Sequence, residues 1–272
     1  KTKGILHFHS FRHPHNLGIL LRKSILTPHW PDYPKEVRKT YLHSAIKIFD
    51  KTLGRLILKR CAKILAVSKH EIPWLIKNFN LNKSKIKLIP NGIPEEYLKQ
   101  RNKTKFKNKY KIKGDLILYF GRIHKSKGID QLIKISDCFP KSNFIIMGNG
   151  PDLNNLKSLA KNKKNIKFIY GKITDEEKLE AFASADIFVH PSLYDAFGIT
   201  IIEAFSQGTP VIATNKGGLP WVVGEAGLIF QDYNSQDLKE KLELLIKNKK
   251  LKNNMSKKAK ERAKKFTWNK IS

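Results

Sequence analysis

From Asp115 onward the chain alternates short apolar runs with amphipathic stretches, and this alternation constrains the fold more than any other feature. The runs are 116–120, 144–147, 166–169, 187–189, 211–213 and 228–230. Each is too short for a helix and apolar on both faces, the pattern of parallel strands covered by helices. Helices are expected near 126–138, 151–162, 174–184, 198–207 and 234–248, with a basic, exposed helix at 249–265. The fold class is therefore α/β, doubly wound, and such a sheet binds ligands outside the carboxyl ends of its strands.

The first part repeats the pattern in shorter form, with strands expected at 4–8, 24–27, 63–67 and 86–89 and helices near 35–60 and 69–79. That amounts to about half of a Rossmann-like domain. The chain opens without Met inside a strand-like run, Gly4 to Phe8, so an upstream part is expected to be missing. Between the two parts lies the Lys/Asn-rich stretch 99–114, which reads as a solvated linker. The expected division is a partial first domain at 1–98, this basic linker, and a second domain at 115–265.

Charge narrows the choice of partners. Of 53 basic residues only eight are Arg, and the net charge is +30. Residues 1–114 carry +21 and residues 115–272 carry +9, so the positive field sits mainly on the first part. It could attract an anionic membrane face or an anionic substrate. A nucleic-acid reader would draw more on Arg and on aromatics interleaved with it, so that class is disfavoured. The stretch 41–64 mixes Ile46, Phe49, Leu53 and Leu56 with Lys47, Lys51, Arg55 and Lys59. It could lie on an anionic membrane surface, although packing on the first sheet with snorkelling lysines is the stronger expectation. Apolar runs of about five residues fall short of the roughly 20 needed to span a bilayer. Two cysteines, Cys61 and Cys138, make no disulfide framework, which points to a reducing, cytoplasmic setting.

The segment from Pro191 to Ala213 leaves a strand, turns, opens a helix at Gly198, and returns to the next strand after Gly208 and Pro210. Helix-start amides can bind anions or sugar hydroxyls, and Gly permits close approach. Asp195 and Glu203 stand seven residues apart in it; taken singly, Asp195 could merely cap the helix and Glu203 could be solvated. A second segment, Phe120-Gly121-Arg122-Ile123-His124-Lys125-Ser126-Lys127-Gly128, places cations between glycines just after a strand. Such a loop can hold a diphosphate and stabilise its charge as a leaving group. Arg122 stands out because Arg is scarce in this chain. His7, His9, His13 and His15 make two His-x-His pairs, but no acidic or Cys partner lies nearby, so no metal site is expected.

Together these segments resemble the retaining, two-domain nucleotide-sugar glycosyltransferases of the glycogen synthase and phosphatidylinositol mannosyltransferase type. The likeness rests on Phe197, Gly198, Glu203, Ala204, Gly208, Pro210 and Val211, on the Gly121-Arg122…Lys127-Gly128 loop, and on Met147-Gly148-Asn149-Gly150-Pro151. It departs at Asp195, where the family carries Glu. The resemblance implies two Rossmann-like domains facing across a cleft (GT-B), the first incomplete here, with a nucleoside-diphosphate sugar on the second. It implies that Arg122 and Lys127 hold the diphosphate and that Glu203 holds the ribose hydroxyls. Asp195, with Phe197, Gly198 and Ile199, would orient the transferred sugar, helped by Gly121, Gly148, Gly150 and the Gly217-Gly218 turn. Ile173 falls in the loop whose backbone reads the base. Thr27-Pro28-His29-Trp30 resembles an element opposite the donor, with His29 contacting the transferred sugar. Phe266-Thr267-Trp268 precedes a last helix that crosses to the first domain, here cut short at 266–272.

The implied function is transfer of a sugar to a glycan or lipid-linked acceptor in cell-envelope polysaccharide synthesis. It would need no metal or other cofactor, with the enzyme at the cytoplasmic face of a membrane. GT-B epimerases and sugar phosphorylases share these motifs and stay open.

Overall fold

The computed structural model describes residues 4–22, 24–29 and 40–271. The chain divides into two compact units, one of 1–91 with 194–197 and one of 92–193 with 198–272.

The first unit holds a four-stranded parallel sheet of β1 (His7–His9), β2 (Ile25–Thr27), β3 (Lys63–Ala66) and β4 (Ile86–Leu88), in that spatial order. Its helices are α1 (Gly18–Leu21), α2 (Thr40–Phe49), α3 (Arg55–Arg60) and α4 (Glu71–Phe79). One wider turn, Asp50–Gly54, carries α2 into α3, so the expected helix across 35–60 is observed from Thr40; 35–39 and Trp30 lie outside the described residues. Phe11, Leu26, Ile57, Leu58, Ile64, Leu75 and Phe79 form its core, each at most 1 % exposed. Tyr194, from the segment that clusters with this unit, joins them. β1 begins three residues later than its apolar letters suggest. Ile5 is 80 % exposed, and only from Leu6, whose carbonyl accepts from the Ile25 amide, does the backbone meet its neighbour.

The first α-helix of the second unit is α5 (Lys105–Lys109), inside the stretch expected as a linker. That expectation is corrected here. Phe106 is fully buried, Lys107 pairs with Asp186 at 2.7 Å, and Tyr110 donates to Glu177 at 2.7 Å. One aromatic anchor and two carboxylates from other segments are enough to dock a Lys-rich stretch on the sheet unit.

Its six-stranded parallel sheet contains β5 (Asp115–Phe120), β6 (Ser142–Met147), β7 (Ile166–Ile169), β8 (Ile187–His190), β9 (Val211–Thr214) and β10 (Gly227–Phe230), in the order β10-β9-β8-β5-β6-β7. Its other helices are α6 (Asp130–Ile135), α7 (Leu153–Leu159), α8 (Asp175–Ser184), α9 (Ile199–Ser206), α10 (Leu219–Val223), α11 (Ser235–Lys247), α12 (Lys249–Ala263) and α13 (Trp268–Ile271). Ile117, Phe144, Ile146, Ile187, Val189, Ile212 and Phe230 fill one face of the sheet, beneath Leu132, Leu238 and Leu242. Strand order reverses between β5 and β8, and such a switch point opens a crevice at the carboxyl ends of its two strands. The loop that leaves β5 carries Gly121, Arg122 and Lys127, and the one that leaves β8 carries Asp195, Phe197 and Gly198. Thr267 bridges Ile93 within this unit, so the chain's last turns are tied to its sheet unit from 93 onward.

Candidate functional site

The loops at the carboxyl ends of β5, β6 and β8 are laced together by backbone hydrogen bonds, and a side chain ties in the end of β9. The Gly121 amide donates to the Met147 carbonyl at 3.1 Å, Ile123 to Asn149 at 2.7 Å, and Leu193 to Ser126 at 2.9 Å. The Thr214 hydroxyl donates to the Ser192 carbonyl. The lacing demands glycine at two places. A Cβ at Gly148 (φ +146) would lie 1.9 Å from the Gly121 carbonyl oxygen, and one at Gly150 would lie 1.9 Å from that of Ile123. Backbones that approach this closely leave no room for a side chain. Tyr119, buried in β5, donates its hydroxyl to the Arg122 carbonyl at 2.8 Å and so steadies the turn that carries the arginine.

Arg122 is exposed, and among the described residues its guanidinium has no hydrogen-bond or ion-pair partner. Lys127, half-buried, ends a single 3-10 turn that Gly128 closes. His124 caps this turn by accepting from the Ser126 amide. The helix expected from 126 therefore starts only at Asp130, because 124–128 form an independent loop. Asn149 brackets the loop after β7, donating to the Gly171 carbonyl at 2.7 Å and accepting from its amide at 2.9 Å. Ile173 follows, half-buried, just before Thr174 caps α8. Gly198 caps α9, Ile199 is 41 % exposed at its first turn, and Gly217 and Gly218 lead into α10.

Glu203 points from α9 toward α8 and is 7 % exposed. It is not a solvated surface acid. Its Oε1 accepts from Lys178 Nζ at 2.8 Å, and that ammonium also reaches Asp175 at 2.8 Å and the Tyr97 hydroxyl at 3.4 Å. Burial pushes the Glu203 carboxyl up, the Lys178 charge opposes it, and the net displacement is upward. Burial works against the Lys178 ammonium, but Glu203 and Asp175 more than offset it and hold it charged. Sequence reasoning missed Lys178, as it missed Tyr119 and Asn149. Lys178 is one lysine among many, and its partner lies 25 residues away on another helix.

The remaining candidates fall with the first unit. Asp195, half-buried, turns its Oδ1 onto the Phe197 amide at 3.2 Å, so it organises the backbone of its own turn; Phe197 is buried. His29 adopts φ +45 beyond β2 and meets His9 at 3.1 Å, while His7 engages the Thr27 hydroxyl at 2.8 Å. Burial, then the neighbouring His9 and His7, lower the His29 pKa. Among the described residues no cluster of three or more His, Cys, Asp or Glu is arranged to hold a metal ion. No helix there is long and apolar enough to cross a membrane.

The glycine-dependent loops around Arg122, followed by the helix that bears Glu203, coincide with a family model. Residues 100–262 match the glycosyl transferases group 1 model, and residues 4–97 match glycosyltransferase family 4. The chain belongs to the group 1 glycosyl transferases. An uncharacterized glycosyltransferase of Methanocaldococcus jannaschii is 31 % identical over 82 % of this chain. The group 1 chain described here spans only 59 % of that relative's length. Sucrose-phosphate synthase from Thermosynechococcus elongatus matches the structure with a TM-score of 0.82 at 22 % identity, covering 98 % of this chain and 70 % of its own. The Anabaena HepE protein in complex with UDP-glucose matches with a TM-score of 0.78 at 19 % identity, over 94 % and 72 %. These neighbours are GT-B glycosyltransferases and show that this chain shares their α/β fold.

Proposed function

We propose that the protein transfers a sugar from a nucleoside-diphosphate donor to a glycan or lipid-linked acceptor, with retention at the anomeric carbon. The observation that carries this reading is the exposed Arg122 on a loop whose shape depends on glycines, beside Lys127, at the switch point of the second sheet. A guanidinium and an ammonium there suit a diphosphate, bidentate and point-charge donors together. In the reaction the acceptor oxygen attacks the anomeric carbon from the face the leaving group departs. The bond from that carbon to the β-phosphate oxygen breaks, and the acceptor's proton passes to that oxygen. Arg122 and Lys127 stabilise the charge that develops on the diphosphate. Glu203 accepts from the ribose hydroxyls; Asp195, Phe197, Gly198 and Ile199 orient the sugar, and His29 contacts it.

The same reading places the enzyme on the cytoplasmic face of a membrane. In its support, the α2–α3 run exposes Ile48 (66 %) and Leu56 (52 %) beside exposed Lys47, Lys51 and Lys59. Incubation of the full chain with radiolabelled UDP-, GDP- and ADP-sugars and a lipid-linked or glycan acceptor, with product analysis, tests the function. A new glycoside is expected; free epimer or sugar phosphate would assign the chain to the epimerases or phosphorylases. Arg122→Ala should lower turnover by about 10²-fold with the melting temperature unchanged, since the side chain is exposed. Full activity in that variant would overturn the diphosphate assignment.

A further inference from the structure

We infer that Lys178 is a positioning residue for donor binding: it holds one oxygen of Glu203 and leaves the other for the ribose diol. This rests on the ribose role proposed for Glu203 and adds to it a residue on a different helix.

The geometry is specific. An ammonium has three protons to donate, and Lys178 spends them on Glu203 Oε1, Asp175 Oδ1 and the Tyr97 hydroxyl. Among the described residues Glu203 Oε2 has no donor, although the carboxylate retains a small exposed area. Lys178 itself is 8 % exposed and lies 6.0 Å from the centre of the Phe120 ring and 5.0 Å from that of Tyr97. Phe120 ends β5 and immediately precedes Gly121 and Arg122. The ion pair therefore sits behind the loop that carries the diphosphate-binding arginine, within the same unit.

Stability alone is a poor reason for such a pair. Taking both charges out of water costs about what their attraction returns, and apolar replacements are commonly neutral. A lysine on the buried side of α8, next to Leu179 and Phe182, occupies a place where an apolar side chain would pack. What the lysine adds is control over the state of Glu203. Burial favours the neutral acid, which can accept less well from two hydroxyls; the ammonium opposes that shift and fixes the carboxyl's rotamer. Among the described residues the charged groups that act on Glu203 are Lys178 and Asp175 from α8, and Tyr97, from the 3-10 turn Glu95–Leu98, meets Lys178. α12, packed on α9, brings Lys260 only as far as Gly208, beyond the helix end.

The test measures calorimetric affinities for UDP, GDP and ADP and for their 2′-deoxy counterparts. It compares wild type, Lys178→Met, Lys178→Arg and Glu203→Gln, using the base that wild type binds tightest. Wild type should prefer the ribonucleotide by about tenfold, one hydrogen bond to a charged group. Lys178→Met and Glu203→Gln should both cut that preference to about threefold or less. In Lys178→Met the preference should return as pH rises and Glu203 ionises without help; Lys178→Arg should retain most of it. A Lys178→Met protein with the wild-type preference at every pH overturns the inference. If Lys178→Met does not fold, Lys178→Arg decides the matter through its pH profile, which should stay flat; a preference lost at all pH values would overturn the inference. The parent reading fails separately. Equal wild-type affinity for ribo and deoxy forms removes the ribose role of Glu203, and unchanged binding in Arg122→Ala removes the donor site.

Discussion

Gly148→Ala probes the lacing of the donor loops most sharply. The added methyl would sit 1.9 Å from the Gly121 carbonyl oxygen, where real Cβ contacts are essentially never under 3.0 Å, so the loops after β5 and β6 must part by at least 1.1 Å (3.0 less 1.9). The φ of +146 adds backbone strain of about 1–3 kcal/mol for any side chain. Loss of the Gly121 to Met147 hydrogen bond adds about 1 kcal/mol. The total, about 2–4 kcal/mol, lowers Tm by roughly 5–15 °C in a chain of this size. A displacement of about 1 Å beside Arg122 should also weaken catalysis by about 10²-fold. Gly171→Ala is the control: its φ is +98 but nothing lies within 4 Å of the new methyl. It carries the strain without the collision. Thermal melts of both variants, with nucleotide-sugar turnover measured below the transition, separate the two effects. If Gly148→Ala melts and turns over like Gly171→Ala, the collision has been absorbed and the argument for the laced loops is refuted.

Two further outcomes follow from other parts of the molecule. Phe106→Ala should cost about 3–5 kcal/mol, as for a fully buried aromatic, measurable by urea denaturation; a change under about 1 kcal/mol would restore the linker reading of 99–114. His29 has a folded pKa below its unfolded value, so below the unfolded value, about 6.5, the unfolded chain binds a proton the folded chain refuses, and stability falls as pH drops through that range. His29→Asn, which tolerates the positive φ, should flatten the fall in Tm between pH 7.5 and 5; an unchanged slope would assign it to other groups.

The sheets were legible because a buried parallel strand must be apolar on both faces, and little else in the chain is. The six runs from Leu116 to Phe230 became β5 to β10 with ends shifted by a residue or so. The errors arose where apolar letters lacked a partner. Ile5 continues a strand-like run yet stays in water; separately, the helix expected from 126 starts only at Asp130, because Lys125–Lys127 form their own turn closed by Gly128. At the site, the glycines were readable because steric necessity leaves one residue type. Arg122 was readable because arginine is scarce in this chain. Lys178 was not, since a buried lysine among 45 is marked only by the acid that packs on it, and that pairing is made by the fold. Asp195 read as a sugar ligand or a cap, and the structure shows its carboxylate on the Phe197 amide.

The central claim is that Arg122 and Lys127 grip the diphosphate of the donor. A crystal structure of the full chain soaked with the nucleoside diphosphate that most raises its Tm tests it directly. Phosphate oxygens about 2.7–3.2 Å from the Arg122 guanidinium and the Lys127 ammonium are the predicted result. A diphosphate bound elsewhere, for instance in the basic hollow lined by Lys257, Lys258, Arg262 and Lys265, with Arg122 left in water, would contradict it.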